Sequence, residues 1–491
     1  MGVGDRGTTP AVGSGRPCFL SVAEAARLIE SRRLSPVELT QSVLERMDET
    51  EPRVHAYATR LDTMALASAR SAETAISAGD YRGPLHGIPI ALKDLFYVAG
   101  VPTSAGSDVL SDFVPGHDAT VTERLRQAGA VCVGKTVTHE FAYGQNAAPT
   151  RNPWDLERTP GGSSAGSGAA VAAHSCLAAM GTDTAGSIRM PASVNGVVGL
   201  KPTYGRVSRY GVVPLSWSLD HCGPLTKSVE DAALVMNAIG GHDPRDPASA
   251  QVPLGDLTRD LRVGVRGLRL GVPRKHFFDR IHRTVGDAVE RALGVLEHLG
   301  AVRVEVEIPH IDLCVAVGMG ILLPEASSIH QSWLRQYADR YDAGTRRMLE
   351  AGELVLATDY LRAQRARSLV KRGFASVFRD RRLDALITPS EPTVATRLDQ
   401  MTIDFGHGSV EAGFSVWTRQ TIPFNVSGMP ALSVPCGFSE HTLADVREGR
   451  VAAGLPIGLH IAGRPFDEAT VLRIGFAYES ATDWDIRRAP L

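Results

Sequence analysis

From about residue 83 onward, short apolar runs alternate with glycine-rich turns and amphipathic stretches, the pattern of an α/β fold with a buried sheet. Ile88-Pro89-Ile90-Ala91-Leu92 is one such run, and Ala130-Val131-Cys132-Val133 follows a predicted helix over Ala119–Gln127. Leu386-Ile387-Thr388-Pro389, Ala431-Leu432-Ser433-Val434-Pro435 and Leu459-His460-Ile461-Ala462 read as later strands, with Asp467–Glu479 as a closing helix. Upstream, Ser21-Val22-Ala23-Glu24 and Ser35-Pro36-Val37-Glu38 each announce a helix by a capping box, the second with proline at the first helical position. The alanine-rich stretch after Arg53 predicts a third helix, ending near Gly79. Residues 275–300 and 325–380 carry the spacing of amphipathic helices with charged faces. There is no internal repeat and no linker long enough to separate independent domains. The expected organisation is a disordered tail over 1–20, rich in Gly, Pro, Ser and Thr at its start, then one domain over 21–491 with a more helical, substrate-side insertion around 275–380.

Charge narrows the partners. A formal net charge of -2 gives no global field for nucleic acid or an anionic membrane. The nearest basic cluster, Arg379-Asp380-Arg381-Arg382, contains an acid and reads as a solvated face. The six cysteines form no C-x-x-C pair and several lie in apolar runs, so packed, reduced thiols and a cytoplasmic location are expected rather than a disulfide frame or a zinc site. No signal-peptide h-region is visible at the N-terminus, and no run of about 18 apolar residues predicts a membrane span.

Two short motif matches fail on context. Gly129-Ala130-Val131-Cys132-Val133-Gly134-Lys135-Thr136 fits the P-loop pattern, but its inner residues favour a buried strand, and its helix comes before it rather than after. Gly162-Ser163-Ser164-Ala165-Gly166 fits the nucleophile elbow with Ser164 at its centre, yet a polar loop precedes it where a strand is required.

Chemistry concentrates between 161 and 189. Gly161-Gly162-Ser163-Ser164-Ala165-Gly166-Ser167-Gly168 resembles a flexible surface loop in composition, but Ala169–Ala173 behind it is compact and apolar. In Thr182-Asp183-Thr184-Ala185-Gly186-Ser187-Ile188-Arg189 the small residues let a backbone turn wrap closely around a ligand atom, with consecutive N–H groups aimed at a developing oxyanion. Ser187 then sits where a nucleophile is wanted, and Asp183 and Arg189 can pair across the turn. A serine needs a base. No histidine is arranged for that locally. A neutral lysine on a buried strand would serve, and Lys93 closes the apolar run 87–92. Taken alone, Lys93 reads better as a snorkelling surface lysine paired with Asp94.

The block from Gly161-Gly162-Ser163-Ser164 to Ser187-Ile188-Arg189, followed by Gly199-Leu200-Lys201-Pro202-Thr203, resembles the signature block of the amidase signature family. Gly87–Asp94 is similar to that family's lysine strand, and Gly134-Lys135-Thr136 with Glu140-Phe141-Ala142 is also a family feature. Later segments, including Gly428-Met429-Pro430-Ala431 and Leu455-Pro456-Ile457-Gly458-Leu459, extend the likeness to roughly residues 20–480. The resemblance implies a single α/β/α domain around a mostly parallel mixed sheet. It implies Ser187 as nucleophile, Ser163 as a bridging serine in a cis peptide, and Lys93 as base. The oxyanion hole would be formed by the N–H groups of Thr184, Ala185, Gly186 and Ser187, with Ala185 where many relatives carry glycine. The implied activity is amide hydrolysis through an acyl-enzyme, needing no metal or organic cofactor, in a protein that is a possible homodimer.

The substrate is less legible. Gly196–Leu225 resembles the A subunit of glutamyl-tRNA amidotransferase, but 315–380 lacks that subunit's Tyr- and Arg-rich elements. A stand-alone amidase on a small aliphatic or aryl amide is therefore expected, with the glutaminase subunit of a tRNA-dependent amidotransferase as the alternative. Phe141, Tyr143, Leu322, Trp333 and Trp417 are candidates to line an acyl or aryl pocket, although such residues more often serve as core or rim.

Overall fold

The short apolar runs become strands of one eleven-stranded sheet in the computed structural model, which describes residues 15–144, 149–400, 402–405, 410–439, 454–484 and 487–491. In chain order the strands are β1 (Tyr57–Arg60), β2 (Pro89–Lys93), β3 (Val131–Thr136), β4 (Ala178–Asp183), β5 (Val198–Lys201), β6 (His221–Thr226), β7 (Arg269–Pro273), β8 (Val302–Val306) and β9 (Ala385–Pro389). After a separate two-stranded ribbon, β10 (Thr402–Asp404) and β11 (Val410–Ala412), come β12 (Ala431–Phe438) and β13 (Pro456–Gly463). Across the large sheet the order is β1-β3-β2-β4-β6-β5-β12-β13-β9-β7-β8. The expected α/β/α domain with a mixed sheet is present. Its parallel pairs, β2 with β3 and β4 and β7 with β8 and β9, form the two wings, and the pairs between β4 and β9 are all antiparallel.

Helices cover both faces. Those announced by caps form as read: α1 (Val22–Glu30) starts at a complete capping box on Ser21, and α2 (Pro36–Val54) starts where Ser35 accepts from Val37 and Glu38 N–H. The stretch after Arg53 differs from expectation. Tyr57–Arg60 first pairs with β3 as an edge strand, and α3 (Asp62–Ser77) begins only afterwards. Next come α4 (Thr120–Gln127), α5 (Ala165–Ala172), α6 (Arg189–Asn195) and α7 (Val229–Ile239). The region 275–380 is not helical throughout. α8 (Arg283–His298) packs on β9, β12 and β13, and the alternating Val302-Arg303-Val304-Glu305-Val306 closes one edge of the main sheet as β8. The helical layer proper is α9 (Cys314–Tyr337), α10 (Ala343–Glu353) and α11 (Ala357–Asp380), which share a second apolar core with α13 (Ile422–Ser427), reached through the short α12 (Gly413–Arg419). α14 (Glu468–Ser480) closes the described chain on β12 and β13.

Two further expectations meet the structure here. Within Ile311–Arg340, which contains α9, an 18-residue window of mean hydropathy 1.4 is apolar enough to cross a bilayer by length and composition alone, which qualifies the expectation that no such segment exists. Half of that window is buried inside the protein, because α9 is a core helix under α10, α11 and α13. The expected tail falls mostly on residues 1–14, outside the described residues; Pro17–Phe19 is a short helical turn with Cys18 buried. All six cysteines are unpaired, five buried and Cys132 half-buried.

Candidate active site

β2 is buried at every position and lies between β3 and β4, so the lysine that ends it is fully buried. Asp94 next to it is already taken: its carboxylate accepts from Lys135 Nζ at 2.7 Å and from Ser104 N–H and Oγ. The surface pair Lys93–Asp94 therefore does not form, and the lysine of the P-loop-like match is a buried structural ion pair on β3. Lys93 Nζ instead lies 2.8 Å from Ser163 Oγ and 2.8 Å from Thr182 Oγ1. Desolvation moves its pKa from 10.5 to about 7, against the opposing pull of Asp183 and Asp220. A substantial fraction is then the neutral amine near neutral pH.

The glycines before Ser163 have a steric cause. A Cβ on Gly162 would sit 2.0 Å from His139 Nε2, so only glycine fits beneath that ring. The Gly162–Ser163 peptide is cis, as the family resemblance implies. Ser164 is fully buried; its Oγ donates to Thr182 O at 3.2 Å and accepts from Thr182 N–H at 3.3 Å. It ties the start of α5 to β4, which is a structural role and leaves the elbow reading without a nucleophile.

The turn from β4 into α6 is organised around one carboxylate. Asp183 accepts from Gly186 N–H at 2.8 Å, Ile188 N–H at 3.1 Å, Arg189 Nε at 3.0 Å and Nη2 at 2.9 Å, and Asn425 Nδ2 at 2.8 Å. Burial alone would raise its pKa; the Arg189 charge and these hydrogen bonds outweigh burial and hold the carboxyl well below the usual range. Arg189 also donates to Thr421 O at 2.9 Å and to Asn425 Oδ1 at 2.6 Å, which anchors the turn to α13. Gly186 has φ +134, and a Cβ there would lie 2.3 Å from Thr421 Oγ1. Removing one side of this dry pair strands the other charge. Arg189→Ala is expected to lower unfolding free energy by about 3–5 kcal/mol, read from urea midpoints with the m-value unchanged.

That carboxylate takes one of the four N–H groups expected of the oxyanion hole. The N–H of Gly186 is committed to Asp183, so it braces the turn rather than facing a ligand. Among the described residues, the N–H groups of Thr184, Ala185 and Ser187 donate to no protein acceptor. Thr421 Oγ1 donates to Ala185 O at 2.5 Å and fixes the peptide plane that follows it.

A cavity of about 580 Å³ opens over this turn. Ser163, Thr184, Ala185 and Ser187 line it, with Tyr143, Leu322 and Trp417 among its walls. Exposure falls from 7% at Ser187 through 3% at Ser163 to 0% at Lys93, so the polar groups lead inward from the cavity. Phe141 and Trp333 are not among the lining residues. Phe141 is fully buried, stacked on Trp333 at 5.5 Å and edge-on to His330 at 4.4 Å, because the turn Glu140–Ala142 directs it into the second core. Both rings belong to an aromatic cluster beyond the cavity wall. Three residues that hold the site were not singled out from the sequence. Thr182 sits inside the signature block and alternates with Asp183 on a buried strand, a signal that was available. Thr421 and Asn425 lie more than 230 positions from Arg189 in sequence, and nothing in Thr421-Ile422-Pro423-Phe424-Asn425 marks them.

The family model described as Amidase matches residues 38–472. An amidase of Pseudomonas putida is 45% identical over 96% of this chain and 98% of its own length. The A subunit of glutamyl-tRNA(Gln) amidotransferase from Moorella thermoacetica is 41% identical over 96% of this chain and 99% of its own. A solved structure described as a vestigial protein complex that reveals the origins of an s-triazine catabolic enzyme aligns with TM-score 0.89 at 33% identity, covering 96% of this chain and 100% of that one.

Proposed function

The chain belongs to the amidase signature family of hydrolases acting on C–N bonds, and from that premise we propose that it cleaves a small carboxylic amide through a Ser187–Ser163–Lys93 relay and an acyl-enzyme. The observation that carries the reading is the 2.8 Å contact between Ser163 Oγ and a fully buried Lys93 whose pKa burial brings to about 7. Neutral Lys93 accepts the Ser163 proton as Ser163 accepts that of Ser187. Ser187 Oγ bonds to the amide carbon, and the carbonyl electron pair moves onto oxygen. The N–H groups of Thr184, Ala185 and Ser187 face that oxyanion. The relay then delivers the proton to the departing nitrogen as the C–N bond breaks, a step an amine leaving group requires. Water, deprotonated by the same relay, hydrolyses the ester. Thr182 accepts from Lys93 and holds its lone pair toward Ser163. Asp183 and Arg189 support the turn.

Tyr143, Leu322 and Trp417 give the cavity an apolar share that suits an aliphatic or aryl acyl group. The similarity to amidotransferase A subunits sustains a second reading, a glutaminase delivering ammonia within a complex. Amine release from aryl anilides, simple aliphatic amides and free glutamine separates the two. Turnover of anilides or aliphatic amides by the isolated chain is expected. Turnover of glutamine alone, and only with an added B-type partner, would replace hydrolysis of simple amides with the transferase reading.

A further inference from the structure

The cavity wall holds two arginines whose surroundings differ. Arg397 is neutralised twice, by Glu157 at 2.7 Å and by Asp399 at 3.1 Å. Arg151 is held by its backbone, N–H to Val54 O at 2.8 Å, and its guanidinium makes only a long 3.4 Å contact with Thr150 O. Among the described residues it has no carboxylate partner, and no Asp or Glu lines the cavity. His139, also in the wall, is held neutral by burial, its pKa down at about 4. Among the described residues, the cavity that contains Ser187 therefore carries in Arg151 a half-buried cation without a carboxylate partner.

We propose that Arg151 is a specificity-determining residue that pairs with a carboxylate on the substrate, so that the cavity prefers an amide bearing a remote carboxylate over a neutral amide of the same length. The inference rests on the hydrolysis proposed for Ser187. The planar guanidinium presents a fork of donors matched to a carboxylate, and partial burial strengthens a charge-assisted pair relative to water. The carboxylate would sit at the Arg151 side of the cavity, with the scissile carbonyl at Ser187 and the methylene chain along the apolar wall between them.

Matched pairs test this: succinamate against butanamide, glutaramate against pentanamide, adipamate against hexanamide, with ammonia release from wild type, Arg151→Met and Arg151→Lys. For at least one length the carboxylate-bearing amide should exceed its neutral partner in kcat/KM by about 10- to 100-fold, the range of a hydrogen-bonded charge pair. In Arg151→Met that ratio should fall toward one, chiefly through KM, and Arg151→Lys should restore part of it. Added salt should narrow the wild-type ratio. Equal kcat/KM within every pair, or a preference that survives Arg151→Met, overturns the inference. If wild type cleaves none of these amides, the hydrolysis reading fails on this panel, and calorimetric binding of the same pairs to Ser187→Ala decides the charge question. Binding of the anionic member that is lost in the Ser187→Ala/Arg151→Met double variant sustains it; binding that ignores Arg151 refutes it.

Discussion

Ser187→Ala is expected to lower kcat by about 10⁵-fold on every amide the protein accepts, the scale seen when a nucleophile is taken from a catalytic serine unit. The expectation follows from placement. The Ser187 hydroxyl is on the cavity wall, in a turn where the N–H groups of Thr184, Ala185 and Ser187 donate to no protein acceptor among the described residues. The deletion removes one oxygen from a site that already touches the cavity, so the thermal midpoint should hold to within a few degrees. A slow ester or activated amide should leave an acyl mass on the Ser187 peptide of wild type and none on the variant. Ser164→Ala is the discriminating control. Its hydroxyl bridges α5 to Thr182 in a fully buried setting, so that change should cost stability, about 1–3 kcal/mol for the stranded partner, while the acyl adduct still forms. An adduct that persists in Ser187→Ala and disappears in Ser164→Ala would return the nucleophile to the elbow motif.

How far the sequence showed this site depends on whether its signals were local. The capped helices, the apolar strands and the glycine–serine block are set by neighbours in the chain, and they stand where the pattern puts them. Tyr57–Arg60 was hidden inside a helical pattern because a four-residue edge strand carries too little periodicity to interrupt an alanine-rich stretch. Val302–Val306 falls between the helical stretches 275–300 and 325–380, inside the region expected to be more helical, although its alternation of valine with charge is that of an edge strand. Lys93 is the instructive residue. Its neighbour Asp94 made a surface pair the simpler reading, and only the fold reveals that Lys135, on the adjacent strand, claims that carboxylate. The status of Gly186 was equally invisible. A run of small residues tells that a turn is tight, and the assignment of each N–H depends on where the Asp183 carboxylate points. Phe141 and Tyr143 are two residues apart and both belong to the second core, yet only Tyr143 also lines the cavity, while the turn at 140–142 stacks Phe141 on Trp333 of α9.

Lys93→Met should reduce kcat/KM by about 10³- to 10⁴-fold, the share of a general base, and should also change the shape of two pH profiles. With a pKa of about 7, wild-type Lys93 gains its lone pair as pH rises, so kcat/KM should climb about tenfold per unit below pH 7 and level off above it. The variant has no such group, and its residual rate should lose that limb. Lys93→Arg should be as inactive, because a guanidinium keeps its proton at every working pH. Stability supplies an independent check. The folded pKa lies below that of an unfolded lysine, so between about pH 7 and 10.5 the unfolded chain binds a proton that the folded chain does not. Unfolding free energy therefore contains a contribution that rises with pH across that window and is absent once Lys93 is replaced. Urea unfolding of both proteins from pH 7 to 10 should give a wild-type minus variant difference that grows with pH. An acid limb that survives in Lys93→Met would assign that limb to another group, and a flat difference would mean that Lys93 is charged in the folded protein. The relay would then have no base, because the ring of His139 in the cavity wall faces Gly162 and hydrogen-bonds the carbonyl of Gly144 rather than either serine hydroxyl.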